Sequence, residues 1–205
     1  FVKQGIELLN EDPRIGIKML LELSNITTNI DEQTIGFYIA PKLNSIGRMD
    51  SAKVGLSFLM AEDISVAKSL AEQIEEYNVQ RKEVTENIVK DVIETIENND
   101  IKNKSVIMVS GDYHEGVLGI VASNIVEKYQ RPVLIMNNKE GILKGSARSV
   151  FDFNIYTAIN KIGDKFIAYG GHTLAAGFSF DEQNFKEIEK ALCDEFDEYK
   201  NNNEL

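Results

Sequence analysis

The fold is decided by residues 106–136, VIMVSGDYHEGVLGIVASNIVEKYQRPVLIM. Apolar runs at 106–109 and 133–136 predict two short buried strands, and residues 116–129 between them have the apolar spacing of a helix. A strand, a helix and a second strand in this order indicate an α/β or α+β domain.

The residues that follow extend this pattern to the end of the chain. They predict strands at 142–149, 166–169 and 177–180, a helix at 154–162 and a terminal helix at 182–199. Asp152 is the predicted cap of the first of these helices. We expect a mixed-sheet domain over residues 101–200 and a frayed tail at 201–205.

A very long helix is predicted before this domain. Asp63 is a suitable N-cap, apolar residues recur at gaps of three and four as far as Ile96, and residues 64–99 contain neither Pro nor Gly. At about 1.5 Å per residue the helix would be roughly 50 Å long, so residues 63–100 are expected to connect two bodies. The alternative is two helices broken near Asn78.

Residues 1–62 form a predicted helical segment. Apolar stripes indicate short helices near residues 2–9, 15–23 and 52–60, and a loop is expected around Pro41, Asn44 and Gly47. The predicted fold class is therefore mixed α/β: a helical segment, a long connecting helix and a mixed-sheet domain.

Composition excludes several classes of protein. The 205 residues contain no apolar run of the ~18 residues that span a bilayer, no signal peptide is visible, and the single Cys193 excludes a Cys-rich zinc site. These features predict a cytoplasmic protein without a membrane partner. The first residue is Phe1, so the chain is expected to be a piece of a longer protein.

The charge is unevenly distributed along an acidic chain. The formal net charge is −11, yet residues 101–180 hold 9 basic and 6 acidic side chains. A net negative charge argues against nucleic-acid binding, because phosphate contacts need Lys and Arg. The basic island at 101–180 is where such contacts would lie, although chance explains it equally well.

Both histidines stand beside glycines. His114 lies between a predicted strand and a predicted helix, where phosphate groups bind in α/β folds, or it caps the turn there. His172 follows Gly170 and Gly171, whose small size allows close backbone approach and an anion nest, or serves a tight packed turn.

Two further segments carry basic and polar side chains. Residues i and i+2 of a strand share a face, so Ser146 and Arg148 would lie together, with Lys144 on the same side, as in a phosphate site or a solvated edge strand. Asn44 and Arg48 lie in the predicted loop, where a structural turn is the simpler interpretation. The chain has no Walker phosphate loop, no Gly-x-Gly-x-x-Gly and no convincing metal or nucleophile set.

Four segments together resemble the RecJ family of bacterial single-strand-specific DNA exonucleases. They are residues 39–49, IAPKLNSIGRM; 113–123, YHEGVLGIVAS; 144–149, KGSARS; and 170–177, GGHTLAAG. The glycine–histidine segment is shared with the wider DHH phosphoesterase superfamily, where it marks the DHHA1 domain, and 39–49 is more specific to RecJ. Two departures are Tyr113 in place of Trp and Ala147 in place of Gly.

The resemblance implies an architecture and a function. RecJ-like proteins have an N-terminal DHH domain that holds Mn²⁺ or Mg²⁺, a long helix and a DHHA1 domain, with single-stranded DNA between them. This chain would be the part after the metal domain, would bind no metal itself and would be inactive alone. The whole protein would be a 5′-to-3′ exonuclease of DNA repair and recombination, with the DHH domain and single-stranded DNA as partners.

The resemblance also assigns roles to residues. His172, Gly170 and Gly171 would face the scissile phosphate, with His172 stabilising it. Ser146 and Arg148 would grip a phosphate of the strand, joined by Arg48 and with Lys144 and Asn44 nearby; the role of His114 is less defined.

Other interpretations remain open. The chain is alternatively part of a DHH-type oligoribonuclease or cyclic-dinucleotide phosphodiesterase, or a non-catalytic nucleic-acid-binding module.

Overall fold

The computed structural model describes residues 1–27 and 29–203. The chain divides into two compact units, residues 1–83 and 84–205. The predicted boundaries at residues 62, 100 and 200 differ from this division and stay predictions.

The first unit, residues 1–83, is helical in the part described. It contains α1 (Val2–Glu11), α2 (Ile15–Leu23), the short α3 (Glu32–Thr34), a π-helical turn (Ile35–Ile39), α4 (Ala40–Met49), α5 (Ala52–Leu59) and the start of α6 (Ile64–Asn98). Its core is small, and its fully buried members include Leu20, Ile46, Phe58 and Ile74.

The predicted loop around Pro41, Asn44 and Gly47 is wrong, since these residues lie in α4. Pro41 occupies the first turn of the helix, where its missing amide costs no hydrogen bond. Ser45 and Ile46 point inward while Asn44 and Gly47 are exposed, so burial of one side outweighs the turn-like composition.

The long helix α6 is continuous from Ile64 to Asn98, so the alternative of two helices broken near Asn78 is wrong. Asp63 Oδ1 accepts a hydrogen bond from the Val66 amide at 3.0 Å, as expected of an N-cap. Ile74 is buried in the first unit, and Val92 and Ile96 are buried in the second. The boundary between the units falls within this helix.

The second unit contains a sheet with five strands among the described residues. They are β1 (Ile107–Gly111), β2 (Val133–Lys139), β3 (Ile142–Arg148), β4 (Ala168–His172) and β5 (Ala175–Asp181). Their order is β1-β2-β3-β5-β4, with β1 and β2 parallel and the other pairs antiparallel. The predicted mixed α/β fold is confirmed.

Besides the end of α6, the described part of the unit contains three more α-helices: α7 (Leu118–Tyr129), α8 (Ile155–Lys161) and α9 (Phe185–Asn202). One sheet face forms the main core with α8 and α9, in which Leu134, Phe180 and Phe196 are buried. Helix α7 packs on the opposite face, against β2 and β3.

Three boundaries differ from the sequence predictions. Asn154, whose side chain accepts a hydrogen bond from the Thr157 amide, caps α8; Asp152 does not, because its φ of 61° is left-handed. Strand β4 begins at Ala168 and includes residues 170–172, while Thr173 and Leu174 form the turn that leads into β5. Helix α9 extends through Asn201 and Asn202, while residues 204 and 205 lie outside the described part, so the frayed tail stays a prediction.

No helix in the described residues is long and apolar enough to cross a membrane.

Candidate phosphate-binding face of the sheet

The strand register places the predicted site residues in two neighbouring rows. Arg148 pairs with Ala175, which pairs with His172; Ser146 pairs with Gly177, which pairs with Gly170. Both rows point to the sheet face on which α7 packs, because residues i and i+2 of a strand share a face. With strands about 4.8 Å apart, the backbones of Arg148 and His172 lie roughly 10 Å from each other. We call this part of β3, β5 and β4 the open face.

Arg148 and Ser146 form one polar group. Arg148 Nη1 donates to Ser146 Oγ and to the Ala147 carbonyl, each at 2.8 Å. These bonds orient the guanidinium on the sheet. A guanidinium with a neighbouring hydroxyl is well suited to bind a phosphate, because the planar fork donates to two oxygens at once.

The first turn of α7 runs directly over this pair. A Cβ atom on Gly119 would lie 2.7 Å from Arg148 Nη2 and 3.2 Å from Ser146 Oγ, so a side chain there would displace the pair. The turn Glu115–Val117 leads directly into α7, and the Leu118 amide already donates to the Glu115 carbonyl, so the positive charge at this place comes from Arg148.

The two adjacent glycines of β4 have different environments. A Cβ on Gly171 would lie 2.3 Å from the Ala175 carbonyl oxygen, so packing against β5 requires glycine there. Gly170 and its partner Gly177 would each place a Cβ in open space, and neither has a positive φ. Folding of the described chain therefore gives no reason for glycine at these two positions, which leave a strip of bare backbone on the open face.

His172 closes the row that begins with Arg148. It is the last residue of the edge strand β4, and its side chain is exposed. An exposed imidazole at this place is able to donate a hydrogen bond to an anion on the open face.

Lys144 lies on the same face but is already paired. Its Nζ is 2.7 Å from Glu115 Oε2, in the turn before α7. The hydrogen bond from Lys144 holds the pKa of Glu115 below its usual value. Lys144 therefore contributes less positive charge to the open face than its sequence position indicates.

His114 has a capping role in the structure. Its Nδ1 accepts a hydrogen bond from the Gly116 amide at 3.2 Å at the start of the turn Glu115–Val117. The neighbouring Tyr113 is buried, covers Gly111 with its ring and donates to Asp91 Oδ2 of α6 at 2.5 Å. Burial and this bond raise the pKa of Tyr113. This segment therefore fixes β1 to α6.

Asn44 and Arg48 lie in the other unit. Their spacing of four residues places them on one side of α4. Burial and, to a smaller extent, the charge of nearby Arg48 lower the pKa of Arg81 in α6. Arg48 therefore lies close enough to Arg81 for the two positive charges of the first unit to affect each other.

No group of three or more His, Cys, Asp or Glu side chains among the described residues is arranged to hold a metal ion. The residues present do not fit a site for Mn²⁺ or Mg²⁺, which prefer several oxygen ligands.

Sequence reasoning missed three contributors to the open face. The place of Gly177 on this face, the close approach of Gly119 to Arg148, and the ion pair of Glu115 with Lys144 were not predicted. The signal for Gly177 was its position in an alternating strand with buried Phe178 and Phe180.

Comparison with protein families identifies the second unit. Residues 102–198 match the model described as "DHHA1 domain". Arg148, Ser146 and His172 all lie within the residues that match this model.

Known proteins extend the match to the first unit. The Single-stranded-DNA-specific exonuclease RecJ of Bacillus subtilis is 32% identical over 191 residues, which cover 92% of this chain and 24% of the relative. The protein of the same name from Haemophilus influenzae is 35% identical over 188 residues, covering 86% of this chain and 32% of the relative. The chain therefore spans about a quarter to a third of the length of these relatives.

Solved structures of RecJ have the same fold as this chain over most of its length. The crystal structure of RecJ from Thermus thermophilus in complex with Mg²⁺ matches with a TM-score of 0.85 at 27% identity, covering 96% of this chain and 30% of that one. A corresponding Mn²⁺ complex matches with a TM-score of 0.84. The chain is homologous to part of the RecJ exonucleases, and the resemblance noted in the sequence is confirmed.

Proposed function

We propose that this chain is the DNA-binding part of a metal-dependent exonuclease that degrades single-stranded DNA from the 5′ end. The open face of the sheet carries the proposal. There, Arg148 and Ser146 form a positively charged group beside a strip of bare backbone. The names of the relatives, which are exonucleases specific for single-stranded DNA, support this substrate class.

Each group on the open face has a role in this proposal. Arg148 and Ser146 bind a phosphate of the strand, and Gly170 and Gly177 let the sugar–phosphate backbone lie close to the sheet. His172 donates a hydrogen bond to a second phosphate oxygen near the scissile bond, with Gly171 holding β4 against β5. When DNA binds, Lys144 releases Glu115 and attracts the phosphates of the DNA over a longer distance.

We place the metal ions outside this chain, in a DHH domain of the same polypeptide. Solved RecJ structures are described as complexes with Mg²⁺ or Mn²⁺, and the described residues here do not fit such a site. Bound metals of this kind activate water for attack on a phosphodiester. The residues of this chain bind and orient the strand, joined by Arg48 and Asn44 of α4. The chain alone is therefore expected to lack nuclease activity.

The binding role is tested by fluorescence anisotropy at low salt with labelled single-stranded DNA. We expect 5′-phosphorylated DNA to bind more tightly than 5′-hydroxyl DNA, and Arg148→Ala and His172→Ala to weaken binding. Lys190→Ala is the matched control, since it removes an exposed positive charge from α9 on the other side of the sheet. Equal weakening by all three variants would contradict a specific site.

The same assay separates the competing functions. A short oligoribonucleotide or a cyclic dinucleotide that binds better than DNA would favour the other DHH-type activities. Degradation of DNA by the pure chain with Mn²⁺ would overturn the expected inactivity.

We place the protein in the cytoplasm, in DNA repair and recombination, on the basis of the relatives' activity alone.

A further inference from the structure

The turn between β4 and β5 is held by the segment that joins β3 to α8. Thr173 and Leu174 form this turn, directly after His172. The Leu174 carbonyl accepts a hydrogen bond from the Ser149 amide at 3.0 Å, which extends the pairing of β3 with β5 into the turn. The Thr173 carbonyl accepts a hydrogen bond from the Ile155 amide, also at 3.0 Å. Both carbonyls of the turn are therefore fixed by one segment of the chain.

This segment, residues 149–155, contains an unfavourable turn, and we call it the β3–α8 connection. The Phe153 amide donates to the Val150 carbonyl at 3.0 Å. The two residues between them, Phe151 and Asp152, have φ values of 54° and 61°. A turn with two left-handed residues favours glycine and asparagine, and a bulky residue such as phenylalanine is disfavoured there. Backbone strain of this kind persists only where the surrounding structure imposes it.

Helix α9 imposes this turn from the core side of the sheet. The Tyr199 hydroxyl donates to the Phe151 carbonyl. Phe153 is buried, and its ring centroid lies 5.1 Å from that of Phe196 and 5.3 Å from that of Tyr199. The hydroxyl of Ser149, which is also buried, donates to the Phe153 carbonyl at 2.7 Å. The strained turn is thus held by contacts with α9 and with Ser149.

The other three non-glycine residues with a left-handed φ in the described chain have ordinary local roles. Asn25 and Gln130 follow the ends of α2 and α7, and Glu140 lies in the hairpin turn between β2 and β3. Helix ends and hairpin turns commonly adopt this conformation. The pair at 151–152 instead joins a strand to a helix and begins three residues after Arg148. The strain therefore lies next to the proposed phosphate site.

We propose that the β3–α8 connection positions Arg148 and His172 for phosphate binding. Tyr199 and Ser149 are the positioning residues that hold the connection. This inference rests on the proposed function, since it concerns the row of the open face that binds phosphate. Tyr199 lies on α9, on the other side of the sheet, so its effect on DNA binding passes through the turn at 151–152.

The connection acts on both ends of the row. Arg148 is followed directly by Ser149, whose amide and hydroxyl are both bonded. His172 ends an edge strand that contains two consecutive glycines, which are conformationally free, and the turn after it is bonded at both carbonyls. The connection therefore keeps the imidazole at a fixed distance from the guanidinium. Groups that are already in place bind an anion more tightly, because less order is imposed on binding.

The test is Tyr199→Phe in the 205-residue chain, which removes only the hydroxyl that bonds the Phe151 carbonyl. We expect amide hydrogen exchange at Ser149 and Ile155 to become about tenfold faster, because their bonds to the turn open more often. We also expect the dissociation constant for 5′-phosphorylated single-stranded DNA to rise about fivefold, because the phosphate-binding groups lose their fixed positions.

Tyr129→Phe is the matched control. It also removes one tyrosine hydroxyl from the second unit, where that hydroxyl donates to Glu97 Oε1 of α6 at 2.6 Å. Tyr129 lies in the last turn of α7, whereas the first turn of α7 is the part that lies over Arg148. We expect neither the exchange rates nor the dissociation constant to change in this variant.

A second variant distinguishes positioning from a general loss of stability. Glycine adopts a left-handed φ without strain, so Asp152→Gly is expected to let the turn form without the Tyr199 hydroxyl. The combination of Tyr199→Phe with Asp152→Gly is therefore expected to return both measurements to within about twofold of wild type. A residue that only packs the core would not be rescued in this way.

Four results would overturn the proposal. They are unchanged exchange at Ser149 in Tyr199→Phe, faster exchange there with unchanged affinity for DNA, equal effects in Tyr129→Phe, and failure of Asp152→Gly to rescue. Hydrogen exchange is measured without DNA. If the wild type bound no 5′-phosphorylated DNA while the exchange rates responded as expected, the result would contradict the proposed function and support the role of the connection.

Discussion

The two faces of strands β3, β5 and β4 have the same backbone but opposite side-chain content. The face beneath α8 and α9 carries large buried residues such as Leu143, Phe178 and Phe180. The open face carries Ser146 and Arg148, with glycine at 170 and 177. Exposed strand positions are stabilised by β-branched or aromatic residues, and glycine weakens a strand. The difference teaches that packing determines the residues of one face, whereas packing does not explain the glycines of the other face, where we propose that DNA binds.

Truncation within the buried face is expected to have the largest effect. Phe180 is fully buried and packs edge-on against Phe166 at 5.4 Å between ring centroids. We expect Phe180→Ala to reduce the free energy of unfolding by about 3–5 kcal/mol, because it leaves a cavity. Urea denaturation measures this, with half-exposed Phe151→Ala as the control, and comparable losses in the two variants would contradict the assigned core.

The next largest effect is the difference in stability between alanine substitutions at Gly171 and Gly170, which lie on opposite faces of β4. We expect Gly171→Ala to cost about 1–3 kcal/mol, since its Cβ meets the Ala175 carbonyl. Gly170→Ala has open space and is expected to change the unfolding free energy by less than about 0.5 kcal/mol. Thermal unfolding compares the two variants. Equal destabilisation would show that the faces are not distinguished by packing.

Elements with local signals were predicted well. The spacing of apolar residues after Asp63 predicted the long helix α6. The apolar runs at 106–109 and 133–136 predicted the strands β1 and β2. Helix α4 was missed because turn-forming residue types hid the inward side of Ser45 and Ile46. The second half of β4 was not predicted as a strand, because Gly170 and Gly171 lack the β-branched or aromatic side chains typical of strands.

The site could be predicted as a set of residues but not as an arrangement. The alternation of Ser146 and Arg148 on a strand follows from sequence. Their alignment with Gly170 and His172 depends on register across β5, which no local pattern specifies. The pairing of Lys144 with Glu115, 29 residues apart, was likewise invisible.

A substitution of Arg148 by lysine separates the contribution of the planar guanidinium group from that of its positive charge. Lysine keeps the charge but loses the planar fork that bonds Ser146 and the Ala147 carbonyl. We expect Arg148→Lys to weaken binding of 5′-phosphorylated DNA about tenfold, or about 1.4 kcal/mol, with little change in stability. Anisotropy titrations measure it, and wild-type affinity in this variant would show that the fork is not used.

The smallest effect concerns Glu115. Glu115→Gln releases Lys144, so we expect single-stranded DNA to bind about twofold to threefold more tightly at low salt and equally at high salt. Glu127→Gln is the matched control, since it removes one exposed negative charge from α7 in the same way. Unchanged affinity at low salt would show that Lys144 does not attract the strand.

The lowered pKa of Glu115 also predicts how the free energy of unfolding depends on pH. Its pKa is lower in the folded than in the unfolded chain, so its stabilising contribution is present above the unfolded pKa and is lost as the pH falls through the folded value. The stability difference between wild type and Glu115→Gln is therefore expected to vanish in acid. A difference that grows as the pH falls would contradict the ion pair.

The most direct test of the open face is a nuclear magnetic resonance titration of the ¹⁵N-labelled chain with 5′-phosphorylated single-stranded DNA. We predict that the amide signals of Ser146, Gly170, His172 and Gly177 shift, while those of Leu192 and Phe196 in α9 stay in place. Shifts concentrated in α9, or none on β3, β4 and β5 at saturating DNA, would contradict the assignment of the open face as the strand-binding surface.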